Sequence, residues 1–172
     1  MGRLGSIVFE EALRILEGCP EGCDRSCYRC LRSYKNKFEH DLLDRHLGAA
    51  LLRYVLYGEL PTVNLARLER STSLLYEDLS RQGSRGLTIA LNQPVALDDG
   101  STAVASIYLE ASGGKRFIVG LSAPLTPNVP ADVRLAAVME SSRSIPVLLC
   151  DEILVRRNLP AATNLVLEDV LR

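Results

Sequence analysis

Cys19, Cys23, Cys27 and Cys30 stand in the run GCPEGCDRSCYRCLRSYKN with the spacing C-x3-C-x3-C-x2-C. Four thiolates this close can surround one tetrahedral Zn²⁺, and Gly18, Pro20 and Gly22 supply the tight turns that wrap a short loop around an ion. Four sulfur ligands close the coordination shell and leave no position for water, so the expected role is structural rather than catalytic. An iron–sulfur cluster uses the same four cysteines, and spacing alone leaves it open. Two disulfides, or a redox pairing, would also use them. The opening MGRLGSIVFE lacks the long apolar core of a secretory signal, so the expected setting is the cytoplasm, where disulfides are rare.

Four thiolates and one Zn²⁺ carry a formal charge of −2, and the flanking sequence is suited to offset it. Arg25, Arg29, Arg32, Lys35 and Lys37 follow Asp24 with no acidic residue among them. The same five cations are the candidates for contact with nucleic acid or with a partner, although a phosphate site needs several cations presented together. His40 and His46 could serve as spare ligands. With four cysteines at hand, both are expected to be ordinary helix residues.

The stretch from Glu10 to Pro61 contains a helix, the four cysteines, the string CLRSYKN, a histidine a few residues on, and LLDR ahead of a leucine-rich helix. In this combination it closely resembles the cysteine-rich C-terminal domain of a helicase-associated family, found in Mrf-type DNA-repair helicases and DISARM-type antiphage systems. The resemblance covers about residues 4–61, a third of the chain. It implies that Cys19, Cys23, Cys27 and Cys30 bind zinc. It also implies that the chain works beside a helicase-like ATPase, or another subunit of a DNA-processing complex, and reaches DNA through that complex.

No G-x-x-x-x-G-K-[ST] phosphate loop and no acidic box after an apolar strand is present, so any ATP-driven motor is expected in another chain. The abrupt start, Met1-Gly2-Arg3-Leu4-Gly5, lacks the glycine-rich segment such domains tend to carry and suggests a split subunit or a fragment. The 172 residues are 47% hydrophobic and 24% charged, enough for one good core or two small ones. No apolar run approaches the ~20 residues of a membrane span, and no membrane role is expected. The formal net charge of −1, which a zinc-thiolate centre would make more negative, argues against a stand-alone nucleic-acid binder. Aromatic residues make up 5% of the chain, with no Trp, which gives no sign of a base-stacking platform.

The elements that must position the cysteines divide near Gly58 to Val63. Residues 1–61 read as a helical four-cysteine zinc-binding module and 62–172 as an α/β domain, an α+β chain overall. Ser6 to Glu17 has a helical pattern in Ile7, Val8, Leu13 and Leu16, closed by Gly18. Glu39 to Tyr57 reads as one long amphipathic helix, ended by Gly58 and Pro61. A third helix is expected from the N-cap Asn64 to about Arg81. Short strands follow at Leu87–Leu91, Pro94–Leu97, Thr102–Leu109 and Arg116–Leu121, with hairpin turns at Asp98-Asp99-Gly100 and Gly113-Gly114. A helix at Ala131–Ser142 and strands at Pro146–Cys150 and Asn164–Leu167 complete a small mixed or antiparallel sheet backed by helices.

That order has a weak likeness to a degenerate restriction-endonuclease-like core. An active nuclease of that kind needs a carboxylate and then D/E-x-K on the next strand to hold a divalent metal. Asp98 or Asp99 could be the first acid and Glu110 the second, but Ser112 stands where the lysine belongs and Lys115 lies beyond the turn. Carboxylates at a hairpin tip are more often turn formers. Cys150 reads as a buried strand residue, Asp151 and Glu152 as a solvated strand end, and Arg156-Arg157 as a weak candidate for an acidic partner or phosphate. Three functions therefore stand: a non-catalytic zinc-binding accessory subunit of a helicase-like system in phage defence or DNA repair, a structural interaction module without nucleic-acid contact, and a metal-dependent nuclease.

Overall fold

In a computed structural model, residues 3–83 and 86–172 are described; Met1 and Gly2, which open the chain, lie outside them. The protein is mixed α+β, and the chain forms two compact units, Met1–Pro61 and Thr62–Arg172. No helix among the described residues is long and apolar enough to cross a membrane.

The first unit is two helices joined by the cysteine loop. Helix α1 (Arg3–Glu17) and helix α2 (Arg45–Tyr57) pack through Leu13, Leu16 and Ala49, with Leu31, Leu52 and Leu56 around them. Ile7 and Val8, which share the helical pattern of α1, are exposed. The backbone N–H of Gly18 donates to the Arg14 carbonyl at 2.9 Å and closes α1 one residue before the first cysteine. The expected long helix from Glu39 is broken. A 3-10 helix spans Tyr34–Glu39, turns follow, and α2 begins only at Arg45. The cause is Asp44, whose carboxylate accepts the N–H groups of His46 (3.0 Å) and Leu47 (3.1 Å) and so caps a fresh start. Leu42, placed by its period on the apolar stripe, is exposed in the turn.

The second unit is a five-stranded mixed sheet between helices. Helix α3 (Leu65–Gln82) starts at Asn64, whose side chain accepts the Arg67 N–H at 2.9 Å. Strands β1 (Thr88–Ala96), β2 (Thr102–Glu110) and β3 (Arg116–Ala123) form an antiparallel meander. The two strands expected at Leu87–Leu91 and Pro94–Leu97 are one: Asn92 takes a positive φ of 52° within it, and Pro94 is tolerated because β1 lies at the sheet edge. Strand β4 (Thr126–Pro130), which no local pattern announced, pairs with β3 beyond a bulge at Ser122/Ala123. Helix α4 (Val133–Ser141) then returns the chain so that β5 (Val147–Asp151) pairs parallel to β3, from Ile118↔Val147 to Ser122↔Asp151.

Helices α5 (Glu152–Arg157) and α6 (Leu159–Leu171) end the chain. Asn164–Leu167, expected as a strand, lies inside α6. Asn158 caps that helix by accepting the Ala161 N–H at 3.3 Å, Pro160 sits in its first turn, and Ala162, Val166 and Val170 bury one helical face. One sheet face packs Val119 and Leu121 against α3, α5 and α6 through Leu75, Leu79, Val155 and Val166. The other packs Ile118 against α4 through Leu135 and Val138. Gly120 allows that approach, since a Cβ there would stand 1.9 Å from Leu135 Cδ2.

Candidate metal centre

Each cysteine is delivered by a short-range device. Cys19 follows the α1 cap directly, and the Gly22 N–H donates to the Cys19 carbonyl at 3.0 Å, with Gly22 in the left-handed region (φ 52°). That turn brings Cys23 back beside Cys19, and the φ explains a glycine at this position. A second turn closes where Cys30, Leu31 and Arg32 all donate their N–H to the Cys27 carbonyl (3.2, 3.1 and 2.9 Å).

The result is a closed ring of sulfurs. Sγ to Sγ separations are 3.7 Å for Cys19–Cys23, 3.6 Å for Cys19–Cys27, 3.6 Å for Cys23–Cys30 and 3.8 Å for Cys27–Cys30. All four atoms lie within 4.8 Å of one another, the one cluster of possible metal ligands among the described residues. A tetrahedron of sulfurs ~2.3 Å from a central ion has edges of about 3.8 Å, so the donor set fits a single tetrahedral ion of zinc size. Disulfide sulfurs would stand at about 2.05 Å, and all five cysteines of the chain are unpaired. An iron–sulfur cluster would place inorganic sulfide and several irons between the thiolates and hold them farther apart.

The environment polarises the quartet. Burial pushes the Cys19 thiol up, but the N–H groups of Cys23 and Glu21 and the neighbouring thiols outweigh it, and its pKa falls to about 6. Burial, joined by the thiols of Cys30 and Cys19, pushes Cys23 up to about 12, and burial likewise raises Cys27. Backbone N–H groups add donors to sulfur: Cys27 N to Cys30 Sγ at 3.3 Å and Arg29 N to Cys27 Sγ at 3.4 Å. Cys19 therefore ionises the more readily, and a bound cation must displace the protons that burial favours on Cys23 and Cys27.

A buried cation, Arg45, which sequence reasoning did not single out, binds this loop. Its Nε donates to the Cys23 carbonyl at 2.7 Å and its Nη1 to the Leu16 carbonyl at 2.9 Å, while its own N–H donates to the Arg25 carbonyl at 2.7 Å. It therefore fastens the cysteine loop to the end of α1 and the start of α2. The signal was the arginine directly after the capping aspartate in LLDR.

The five predicted cations divide. Arg25 donates to the Asp41 carbonyl, and Arg32 Nε to the Ser26 hydroxyl at 2.9 Å, so both serve the loop itself. The Arg29 side chain makes a long 4.0 Å approach to Glu21 and is exposed, as is Lys35. The Lys37 ammonium lies over two rings, 5.1 Å from Tyr34 and 4.8 Å from Phe38. Neither histidine joins the sulfurs. His40 Nε2 sits 3.0 Å from the Ser33 carbonyl and 3.1 Å from Asn36 Oδ1, and His46 is in the first turn of α2.

The residues considered for a nuclease are not brought together. Asp98 accepts the N–H groups of Arg143 (2.6 Å) and Ser144 (2.9 Å) and the Ser144 hydroxyl; Asp99 accepts from the Ser101 N–H and hydroxyl. Both are turn formers. Glu110 accepts from the Tyr108 hydroxyl at 2.9 Å at the opposite end of β2, about 27 Å along the strand from the Asp98-Asp99 turn at 3.4 Å per residue.

Asp151 and Glu152 are not a solvated strand end. Asp151 caps α5 through the Ile153 N–H at 2.8 Å. Glu152 is 0% exposed and receives Arg67 Nε (2.8 Å), Arg67 Nη2 (2.6 Å) and the Ser71 hydroxyl (2.8 Å), with Arg156 at 3.8 Å. Arg156 therefore serves a buried carboxylate instead of an external anion. Cys150 is buried, and burial, with the Asp151 charge, lifts its thiol to about 11.

Fold and site together define a mixed α+β protein carrying a four-cysteine, metal-type centre in a helical unit. Over 103 residues the chain is 37% identical to Druantia protein DruE of Escherichia coli (strain UMEA 4076-1), a match that takes in 58% of this chain and 6% of that relative. The chain thus corresponds to a small part of the relative's length. No family model and no solved structure matches it.

Proposed function

We propose that this chain is a zinc-stabilised, non-catalytic accessory module of a multi-protein antiphage system that acts on DNA beside a helicase-like ATPase. The observation that carries this reading is the similarity to Druantia protein DruE, an antiphage-system protein, in a chain whose Cys19, Cys23, Cys27 and Cys30 sulfurs lie within 4.8 Å of one another. The resemblance of the cysteine loop and its flanks to the helicase-associated family supports the same reading. Zinc bound by Cys19, Cys23, Cys27 and Cys30 would supply a cross-link, with all four positions filled by sulfur. The chain's own residues do the rest: Arg45 anchors the loop to both helices, Asp44 starts α2, and the Glu152–Arg67 pair ties α3 to α5.

The test is phage plating on a host carrying the native locus, with the tagged chain as bait. Deletion of the chain, or Cys27→Ser, is expected to abolish protection, and affinity purification in mild salt to recover an ATPase. Protection that survives deletion overturns the defence role. Recovery of no ATPase or nucleic-acid-processing protein overturns the helicase association.

A further inference from the structure

Three of the chain's nine Phe and Tyr rings gather on the loop that follows the first cysteines, and all three are held out in solvent: Tyr28 is 68% exposed, Tyr34 79% and Phe38 85%. Exposed rings normally flicker on flexible loops, but these are braced. The Ser33 N–H donates to Asn36 Oδ1 at 2.7 Å, and Asn36 Nδ2 donates to the Leu31 carbonyl at 2.9 Å, one residue after Cys30. His40 is held against Ser33 and Asn36, and Tyr28 stands edge-on to His40, ring centroids 5.4 Å apart at 89°. Tyr34 and Phe38 share one cation, Lys37, which lies about 5 Å from each ring.

Charge says what such a surface would take. From Tyr28 to Phe38 the chain carries Arg29, Arg32, Lys35 and Lys37 and no acidic residue; Glu39 and Asp41 lie just beyond. Arg32 is engaged within the loop, which leaves Arg29, Lys35 and Lys37 as the outward cations. Exposed ring faces accept any base, and cations between them accept phosphates, the pairing by which single strands are held without sequence preference. A duplex offers no free base faces.

We propose that the Tyr28–Phe38 surface is a binding platform for single-stranded nucleic acid, with bases stacked on Tyr34 and Phe38 and phosphates held by Arg29, Lys35 and Lys37. It rests on the reading of the chain as part of a nucleic-acid-processing system and names the form of substrate it engages. Lys37 lies over the rings on a flexible stem, so its ammonium can move to a phosphate as a base takes its place.

The experiment is fluorescence anisotropy of the full, zinc-loaded chain with labelled oligothymidylate, oligouridylate and a DNA duplex across a salt series. A single strand is expected to bind more tightly than duplex. Tyr34→Ala with Phe38→Ala should weaken it roughly tenfold or more, while Tyr34→Phe keeps it. Lys35→Ala with Lys37→Ala should flatten the log–log salt slope by about 0.7 for each phosphate no longer neutralised. Preference for oligouridylate upholds the platform and assigns it RNA; preference for oligothymidylate upholds it and assigns DNA.

Equal binding of duplex and single strand overturns the platform, as does ring removal without effect. So does ring-dependent binding of polyglutamate in place of oligonucleotide, which would mark a docking face for an acidic protein. Unchanged zinc content and thermal midpoint check that the variants fold, and Phe38→Ser alone gives a second, milder probe. If oligonucleotide binding fails while phage protection still requires Cys27, only the platform falls. If protection survives deletion of the chain while oligonucleotide binding persists, the defence reading falls and the platform stands.

Discussion

Replacing Cys27 with serine removes one sulfur and also alters the residue whose carbonyl receives three N–H groups of the second turn. Because the ligands must be deprotonated, metal binding competes with protons. Native protein is expected to hold about one zinc per chain by elemental analysis, and Cys27→Ser to hold much less. Acidification should release the metal as the thiolates protonate, followed by a chromogenic zinc indicator; a bound metal that stays put in acid would contradict a thiolate site. Arg45 is the more discriminating probe. Arg45→Lys keeps the charge but loses the fork that spans the Cys23 and Leu16 carbonyls, and should cost about 2–4 kcal/mol and weaken zinc retention. Urea unfolding of the zinc-loaded protein checks the first and chelator competition the second. The quartet was legible because its ligands lie within twelve residues, whereas the role of Arg45 was not, since it contacts carbonyls 22 and 29 positions away.

At the scale of elements, caps and ties decide where each segment starts and what it touches. Asp98 joins the β1–β2 turn to the loop after α4, and the Ser144 hydroxyl, helped by the N–H groups of Arg143 and Ser144, holds its carboxyl below the usual carboxylate range. A lowered folded-state pKa stabilises above the ordinary carboxylate pKa, and that stabilisation is lost as pH falls through the folded value. Asp98→Asn should therefore melt at lower temperature near neutrality, and the gap to the native protein should close as the solution is acidified. A gap independent of pH would mean the carboxylate charge is not what matters. Gly120 sets the approach of α4 to the sheet. Gly120→Ala drives a methyl into Leu135 and should destabilise the sheet unit by at least roughly 1–3 kcal/mol in denaturant unfolding. The hairpin turns are readable from Asp98-Asp99-Gly100 and Gly113-Gly114, while Asn164–Leu167 reads as a strand, and lies inside α6, because a short apolar run has no period of its own.

For the whole molecule, each unit has its own core, one pinned by the cysteine cluster and one built on the sheet. Stripping metal with a strong chelator should melt the helical signal of the first unit and leave the cooperative transition of the second, seen by far-ultraviolet circular dichroism; loss of both together would show that the units fold as one. Glu152→Ala should do the reverse, costing roughly 3–5 kcal/mol in the sheet unit by leaving Arg67 buried without its carboxylate. By itself the sequence determined what neighbours decide: the cysteine quartet, the caps at Asn64 and Gly18, the hairpin turns and the α+β class, because turn chemistry and period are written within a few residues. Only the tertiary structure decided which polar groups are buried and which rings are left out. Glu152 meets Arg67 across 85 positions, Asp98 meets Ser144 across 46, and Tyr34 and Phe38 stay in solvent because the small core of their own unit does not take them in. Burial depends on what the rest of the chain brings alongside, and no local pattern carries that.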